Sequence, residues 1–324
     1  METVSPVNTQ TQAVADKKRR RVKKISLALA ALIVILALVC STISVYIGYQ
    51  LTRPEKKPIA ETPADYGMVY TDQIFTSKAD DSAALPGWVI EPEEPVMTVI
   101  MSHGYRGNRL EKNVPFLPLA QQFIDANYRV IMYDFRHSGE AGGKMVTLGT
   151  KEKYDLLGVI DYAKSSYDEP VALYGISMGA ATSILAAGLS ADVMAVVADS
   201  PFSDLKSYLS QNMSVWTGLP HVPFTPLTMF LMPFVTEIEP EEASPIKAVE
   251  QIYPRPIYFI HGTGDTYIPY TESQKMAALH PDRFQIWNPE GIQHVKTYEH
   301  HADEYAANVI DFFEKSRAEL SAAQ

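Results

Sequence analysis

The chain has one cysteine in 324 residues, Cys40, and it falls inside the longest apolar run. The region downstream can therefore form neither an internal disulfide nor a thiolate metal site, and a large buried core must stabilise it. Cationic charge is scarce too, once the first 24 residues are set aside. Those hold seven of the 28 Lys and Arg side chains against two acids, whereas residues 50–324 carry 21 basic and 36 acidic ones, a net of −15. Phosphate contacts need a cationic surface, so this body argues against nucleic acid as a partner. Walker loops, dinucleotide fingerprints and cysteine clusters are also missing, and no metal or organic cofactor is expected. With 46% apolar and 20% charged residues, the composition is neither disordered nor collagen-like.

What is present first is an anchor. Ile25 to Tyr49 (ISLALAALIVILALVCSTISVYIGY) holds no charge and follows Lys17, Lys18, Arg19, Arg20, Arg21, Lys23 and Lys24. As a helix it would be roughly 37 Å long, enough for a hydrocarbon core of about 30 Å. A cleaved signal peptide would have a shorter apolar region with a small-residue cleavage site after it, and here Ala-x-Ala triplets occur only within the run. A lipid-modified Cys40 is disfavoured by Val39, which stands where a small residue is normally needed. The cations before the span outnumber Arg53, Lys56 and Lys57 after it, so residues 1–24 are expected as a cytoplasmic tail, 25–49 as a single transmembrane helix contacting the bilayer, and the body outside.

Residues 50–65, with Pro54, Pro58 and Pro63 among charged side chains, read as an extended tether, and the folded part is expected to begin near Tyr66. Apolar, β-rich runs then alternate with helical patterns. Trp88–Glu91, Thr98–Ser102, Arg129–Tyr133, Val171–Tyr174, Ala195–Ala198, Ile257–Ile260 and Phe284–Trp287 read as strands, with helices near 115–126, 152–166, 178–189, 271–279 and 297–316. This is the pattern of an α/β domain over residues 66–324, with a mostly parallel sheet covered on both faces. Residues 202–252 break the rhythm. They contain six prolines among Trp216, Phe224, Met229, Phe230, Leu231, Met232 and Phe234, too long for a plain connection and too apolar for a solvated loop. An inserted lid that shapes a pocket, or helices packed on the main core, would each bury them.

The chemistry-bearing segment is LYGISMGA, residues 173–180, in which an apolar strand runs into G-x-S-x-G and then into a helix-forming stretch. Gly175 and Gly179 let the chain close around Ser177, whose hydroxyl then projects at the helix start as a nucleophile. A serine needs a base at neutral pH, and a histidine base needs a carboxylate to fix its tautomer. In a strand-turn-helix of this type the order is Ser, acid, His. Asp265, in the glycine-rich turn FIHGTGDTYIP, fits the acid, and His294, in the loop NPEGIQH, fits the base. Asp199 is the rival acid, with Ser200 and Pro201 after it favouring a turn or cap. His261, His280, His300 and His301 are expected as surface residues. The oxyanion would be held by the N–H groups of Met178 and Tyr105, with His103 and Gly104 supporting the turn that aims the latter.

HGYRGN at 103–108, Tyr133 to Glu140, LYGISMGA, ADSPFSDL at 198–205 and HGTGDTYIP at 261–269, in this order, resemble the α/β-hydrolase superfamily. Within it the chain is similar to membrane-anchored bacterial hydrolases of the serine aminopeptidase and monoacylglycerol lipase-like branch, over about residues 66–316. The resemblance implies Ser177, Asp265 and His294 as a triad and the Tyr105 and Met178 amides as the oxyanion hole. Two departures stand out: the turn after His103-Gly104 lacks the triple glycine of many lipases, and the lid matches none tied to one substrate. Asp134, Arg136 and Gly139 are expected to organise their loop.

The expected reaction is hydrolysis of an uncharged carboxylic ester, a small molecule, through an acyl-serine. An amidase or aminopeptidase would use the same triad, with Glu237, Glu239, Glu241 and Glu242 as a rim for a substrate ammonium. A membrane-tethered binding module without turnover is the reading from another class. No protein partner is expected.

Overall fold

A computed structural model of the chain describes residues 6–79 and 81–323. One helix, α1 (Pro6–Thr52), takes in the basic segment and the whole apolar run, so the helix continues without a break to the edge of the domain. From Gln12 to Thr52 it is apolar enough to cross a membrane and almost wholly exposed.

Eight strands follow: β1 (Tyr70–Thr76), β2 (Ala84–Ile90), β3 (Met97–Ser102), β4 (Tyr128–Tyr133), β5 (Val171–Ile176), β6 (Val193–Asp199), β7 (Ile257–Ile260) and β8 (Phe284–Trp287). The helices between and after them are α2 (Phe116–Asp125), α3 (Glu152–Ser166), α4 (Met178–Leu189), α5 (Leu205–Thr217), α6 (His221–Val235), α7 (Pro245–Ile252), α8 (Thr271–Ala277), α9 (Thr297–His300) and α10 (Ala302–Ala323). The sheet order is β1-β2-β4-β3-β5-β6-β7-β8. β2 runs antiparallel to β1 and β4, and β3 to β8 are mutually parallel.

The parallel strands β3 to β7 are buried throughout because each face carries its own helical layer, while β8, at the sheet edge, buries only Phe284. Leu173 of β5 points into one core and its neighbours Ala172 and Tyr174 into the other, as the two-residue period of a strand requires. Register then levels the carboxyl ends. Ser102 lies opposite Gly175, Ile176 opposite Asp199, and Asp199 opposite Ile260. His103, Ser177, Ser200 and His261 therefore all emerge at one edge of the sheet, where ligands bind in open α/β sheets.

The sequence reading missed β1. Its residues, YTDQIFT, are polar and mostly exposed, since the strand closes one edge of the sheet and buries only Phe75 fully. Residues 202–252 divide into two parts. α5 and α6 form a cap with its own small core around Leu205, Leu209, Met213 and Met232, while α7 lies on α4, where a Cβ on Gly188 would stand 3.1 Å from Ala248. The segment after α1 is held at several points along the domain surface: Val146 N–H donates to Thr52 O, Lys56 to Ala141 O, and Asn108 to the carbonyls of Lys57 and Pro58.

Candidate active site

Ser177 is the residue between β5 and α4, at φ 49° and ψ −117°, a conformation in which L-residues are strained. The turn persists because its surroundings leave no alternative. A Cβ on Gly175 would stand 2.4 Å from Gly179 O, and one on Gly179 only 2.1 Å from Ser102 O, so helix and strands approach at a distance only glycine allows. Ser177 N–H donates to Asp199 O at 2.7 Å, which fixes the turn against β6.

From this turn the Ser177 hydroxyl donates to His294 Nε2 at 2.9 Å, and His294 Nδ1–H donates to Asp265 Oδ2 at 2.5 Å. The three side chains come from the ends of β5, β7 and β8, with 117 positions between Ser177 and His294, and only the sheet register joins them. Asp265 is held on all sides. Its Oδ1 accepts from Tyr267 N–H at 2.8 Å and Ile268 N–H at 2.9 Å, and Oδ2 also accepts from His261 Nε2–H at 3.1 Å. Burial would raise its pKa, but the donors, His261 and His294 foremost, overcome that and hold the carboxyl well below the usual carboxylate range.

His261 is the main correction to the surface histidines expected from sequence. It is fully buried, accepts from Ser273 Oγ at 2.7 Å through Nδ1, and shares its Nε2–H between Asp265 and Ile268 O. Its position just past β7 carried the signal, but the bond to Asp265 forms only after the glycine turn folds back.

Asp199 is elsewhere. It is fully buried, accepts from Ser200 Oγ at 2.7 Å and Tyr305 OH at 2.9 Å, and makes no hydrogen bond to His294. Burial raises its pKa, so this carboxyl is poorly suited to sit beside an imidazolium.

Met178 is the first residue of α4, where backbone N–H groups have no acceptor within the helix. Facing it is the loop after β3, whose Gly104 lies so close that an added Cβ would stand 3.6 Å from Ser177 Cβ. Gly104 N–H is fixed by Glu111 at 3.2 Å. His103 is buried with no role for proton transfer in this geometry: Nδ1–H donates to Gly104 O at 2.8 Å and Nε2 accepts from Phe135 N–H at 3.1 Å. Burial lowers its pKa and keeps it neutral, which this donor-acceptor pattern requires. The Tyr105 amide follows directly, and Tyr105 OH donates to Leu51 O of α1 at 2.7 Å.

The neighbouring loop after β4 is fixed by charge. Asp134, fully buried, accepts from Arg109 N–H and side chain and from Glu140 N–H. Gly139 has φ +46°, and a Cβ there would collide with the Asp134 carboxylate at 2.3 Å. Arg136 pairs with Asp155 at 2.6 Å, both buried.

Two cavities meet at Ser177. One is a narrow slot of about 550 Å³, counting its mouth, lined by Leu51, Tyr105, Met178, Leu205, Leu209, Met213 and other apolar or aromatic side chains, and by no ionisable carboxylate or ammonium. The other, of about 620 Å³, is more polar and includes Arg106, Glu111, Asn113 and His294. Trp216 stands between them, edge-on to Tyr105 and tilted on Tyr267, its indole N–H donating to Tyr208 OH. The cluster Glu237 to Glu242 lies outside both, with Glu237 on Lys151, Glu242 on Lys153 and Glu241 on Lys206. Among the described residues no group of three or more His, Cys, Asp or Glu side chains is placed to hold a metal.

Such a sheet, with its helices and a serine turn at the carboxyl edge, defines an α/β-hydrolase-fold serine hydrolase. Known proteins agree. The esterase Pf2001 of Pyrococcus furiosus superimposes with a TM-score of 0.67 at 27% identity, over 82% of this chain and 98% of that one. The acylaminoacyl peptidase of Pyrococcus horikoshii shares the fold alone, with a TM-score of 0.59 at 18% identity over 78% of this chain and 42% of that one. By sequence the chain is 27% identical over 234 residues to YqkD of Bacillus subtilis, covering 71% of this chain and 75% of that protein. It is likewise 27% identical over 282 residues to YfhR of Salmonella typhi, covering 81% and 86%. The family model of the X-Pro dipeptidyl-peptidases (S15 family) matches residues 81–318, and the chain belongs to that family.

Proposed function

We propose that this serine hydrolase is a membrane-anchored carboxylesterase that cleaves uncharged acyl esters through an acyl-enzyme on Ser177. The observation that carries the reading is the slot beside Ser177, walled by apolar side chains and free of carboxylates. An aminopeptidase needs a counter-charge for the substrate ammonium next to the scissile bond; Glu237, Glu241 and Glu242 are turned away onto lysines, and Glu111, which lines the second cavity, is engaged by the N–H groups of Gly104, Lys112 and Asn113. The esterase activity named for the Pyrococcus furiosus relative supports the same leaving-group class.

In this mechanism His294 Nε2 takes the Ser177 proton as Oγ attacks the ester carbonyl, and Asp265 stabilises the imidazolium that forms. The Met178 and Tyr105 N–H groups face the developing oxyanion. His294 then returns the proton to the leaving alcohol, which departs on the side of Arg106 and Asn113, and a water repeats the sequence to release the acid. The acyl chain occupies the apolar slot. α1 holds the enzyme in the membrane with residues 1–24 in the cytoplasm and the hydrolase domain outside, an orientation that the seven cations before the span favour.

The test is labelling with a fluorophosphonate and turnover of p-nitrophenyl esters beside aminoacyl anilides. Labelling that disappears in Ser177→Ala, with turnover confined to esters, is expected. Turnover confined to anilides would replace the esterase reading by a peptidase one. Protease shaving of intact cells should remove the domain, and a domain that survives until lysis would refute the orientation.

A further inference from the structure

From Ser207 to Thr236 the chain contains no Asp, Glu, Lys or Arg, a second uncharged stretch as long as a membrane span but broken into α5 and α6. α6 is mostly apolar, and it is the helix that packs along the end of α1. Their contact uses small residues: Ser44, Gly48 and Thr52 are buried at a four-residue spacing, and a Cβ on Gly48 would lie 3.7 Å from Val235 and 3.8 Å from Thr236. Only one side of α6 is satisfied this way. Thr225, Thr228 and Met232 are buried, while Phe230 and Phe234 stand 67% and 75% exposed.

The depth of this face follows from α1. Counting about 30 Å of hydrocarbon from Ile25, at about 1.5 Å per residue, places the outer boundary near Ser44. Burial on α1 begins at Cys40 and continues to Thr52, so its packed turns straddle that boundary. Tyr46 and Tyr49 stand exposed just beyond it, where interfacial aromatic residues sit. α6, packed beside these turns, lies at headgroup and upper acyl level.

We propose that the exposed face of α6 is a second membrane contact, inserted into the bilayer interface beside α1, and that the enzyme acts on the acyl esters of lipids in that leaflet. The occupant of the face is the bilayer, argued from its continuity with the spanning helix and from thirty residues without a charge. The substrate follows from the slot, whose wall includes Leu51 at the end of α1 together with Leu205, Leu209 and Met213 of the cap, which places an apolar wall for an acyl chain beside the end of α1. This inference rests on the anchor reading above and is separable from it.

The test uses the full chain carrying Cys40→Ser with a single cysteine introduced in turn by Ile33→Cys, Phe230→Cys and Leu189→Cys. Each is labelled with an environment-sensitive fluorophore and reconstituted in phosphatidylcholine vesicles. Doxyl-lipid should quench the labels at 33 and 230, and aqueous iodide the label at 189. If 33 responds to lipid while 230 behaves like 189, or is shielded from both quenchers by a second copy or another protein, the inference falls and the anchor stands. If 33 fails to respond to lipid, the anchor itself falls. In parallel, Phe230→Glu with Phe234→Glu should leave hydrolysis of p-nitrophenyl acetate unchanged and lower that of a long-chain ester in vesicles by about tenfold or more. Equal rates on the vesicle substrate would overturn the proposal.

Discussion

Replacing Asp265 by Asn tests the proposed acid in a way that the geometry makes unambiguous. Oδ1 accepts two backbone N–H groups, from Tyr267 and Ile268, and an amide NH2 cannot take that place. The Asn carbonyl oxygen must therefore occupy the Oδ1 position, which turns its NH2 toward His294 Nδ1. Facing a donor, Nδ1 gives up its hydrogen and becomes an acceptor, so the proton moves to Nε2, the atom now 2.9 Å from Ser177 Oγ. A protonated Nε2 cannot accept from the serine. His261 keeps an acceptor in Ile268 O at 2.9 Å, so the lesion is confined to His294. Loss of the base in its correct tautomer costs about 10,000-fold in kcat, or about 5.4 kcal/mol on the barrier. The assay is kcat for a short p-nitrophenyl ester at saturation, with the fluorophosphonate labelling rate as a second readout. KM should change little, since no substrate contact is removed. A fall of less than about tenfold, or a larger one in Asp199→Asn than in Asp265→Asn, would refute the assignment.

Other consequences can be checked alongside. Because donors hold the Asp265 carboxyl below its unfolded value of about 3.9, its contribution to stability is full above that pH and lost as pH falls through the folded value. The stability gap between wild type and Asp265→Asn, read by denaturant melts in detergent, should therefore narrow below about pH 4, and a gap that widens there would contradict the sign. Met213→Trp should fill the slot, lowering kcat/KM for octanoyl esters by about tenfold or more and for acetyl esters by less than about twofold; equal losses would place the acyl chain elsewhere. Arg136→Met should cost about 3–5 kcal/mol by leaving Asp155 buried without its cation, and Arg136→Met with Asp155→Leu should recover much of it. Gly179→Ala should abolish labelling in whatever protein still folds, since its Cβ must displace Ser102 O from 2.1 Å; near-normal turnover would mean that the turn is less constrained than its contacts require.

Legibility in the sequence followed the range of the interactions. The six inner strands were readable because two-sided burial leaves each an apolar run, and the edge strand β8 through Phe284, Ile286 and Trp287, whereas β1, wet on one face at the opposite edge, reads as a loop. Ser177 was visible because a strained turn must write its glycines locally. His294 and Asp265 were visible only through their order along the chain and the loops that hold them. His261 was not, because its bonds to Asp265 and Ser273 depend on how a glycine turn and α8 fold back. The same holds for residues 53–58: their prolines and charges predict extended chain, but Lys56 and the Lys57 and Pro58 carbonyls find partners at Ala141 and Asn108, 50 to 85 positions away.

Those long-range bonds bear on how anchoring and chemistry relate. A flexible tether would leave the domain free to tumble and the site indifferent to the membrane. Here the last turn of α1 is part of the site: Leu51 gives its carbonyl to Tyr105 OH and its side chain to the slot, and Thr52 O accepts from Val146. Tyr105 also carries one of the two amides proposed for the oxyanion hole. The apolar helix α1 and the proposed donor loop are thus joined by one residue, with the phenol ring of Tyr105 packed against Trp216 of the cap. A rotation or withdrawal of α1 would open the slot at Leu51 and release the tyrosine in the same movement. The N-terminal helix of this hydrolase accordingly acts as a wall and a brace of the slot beside Ser177.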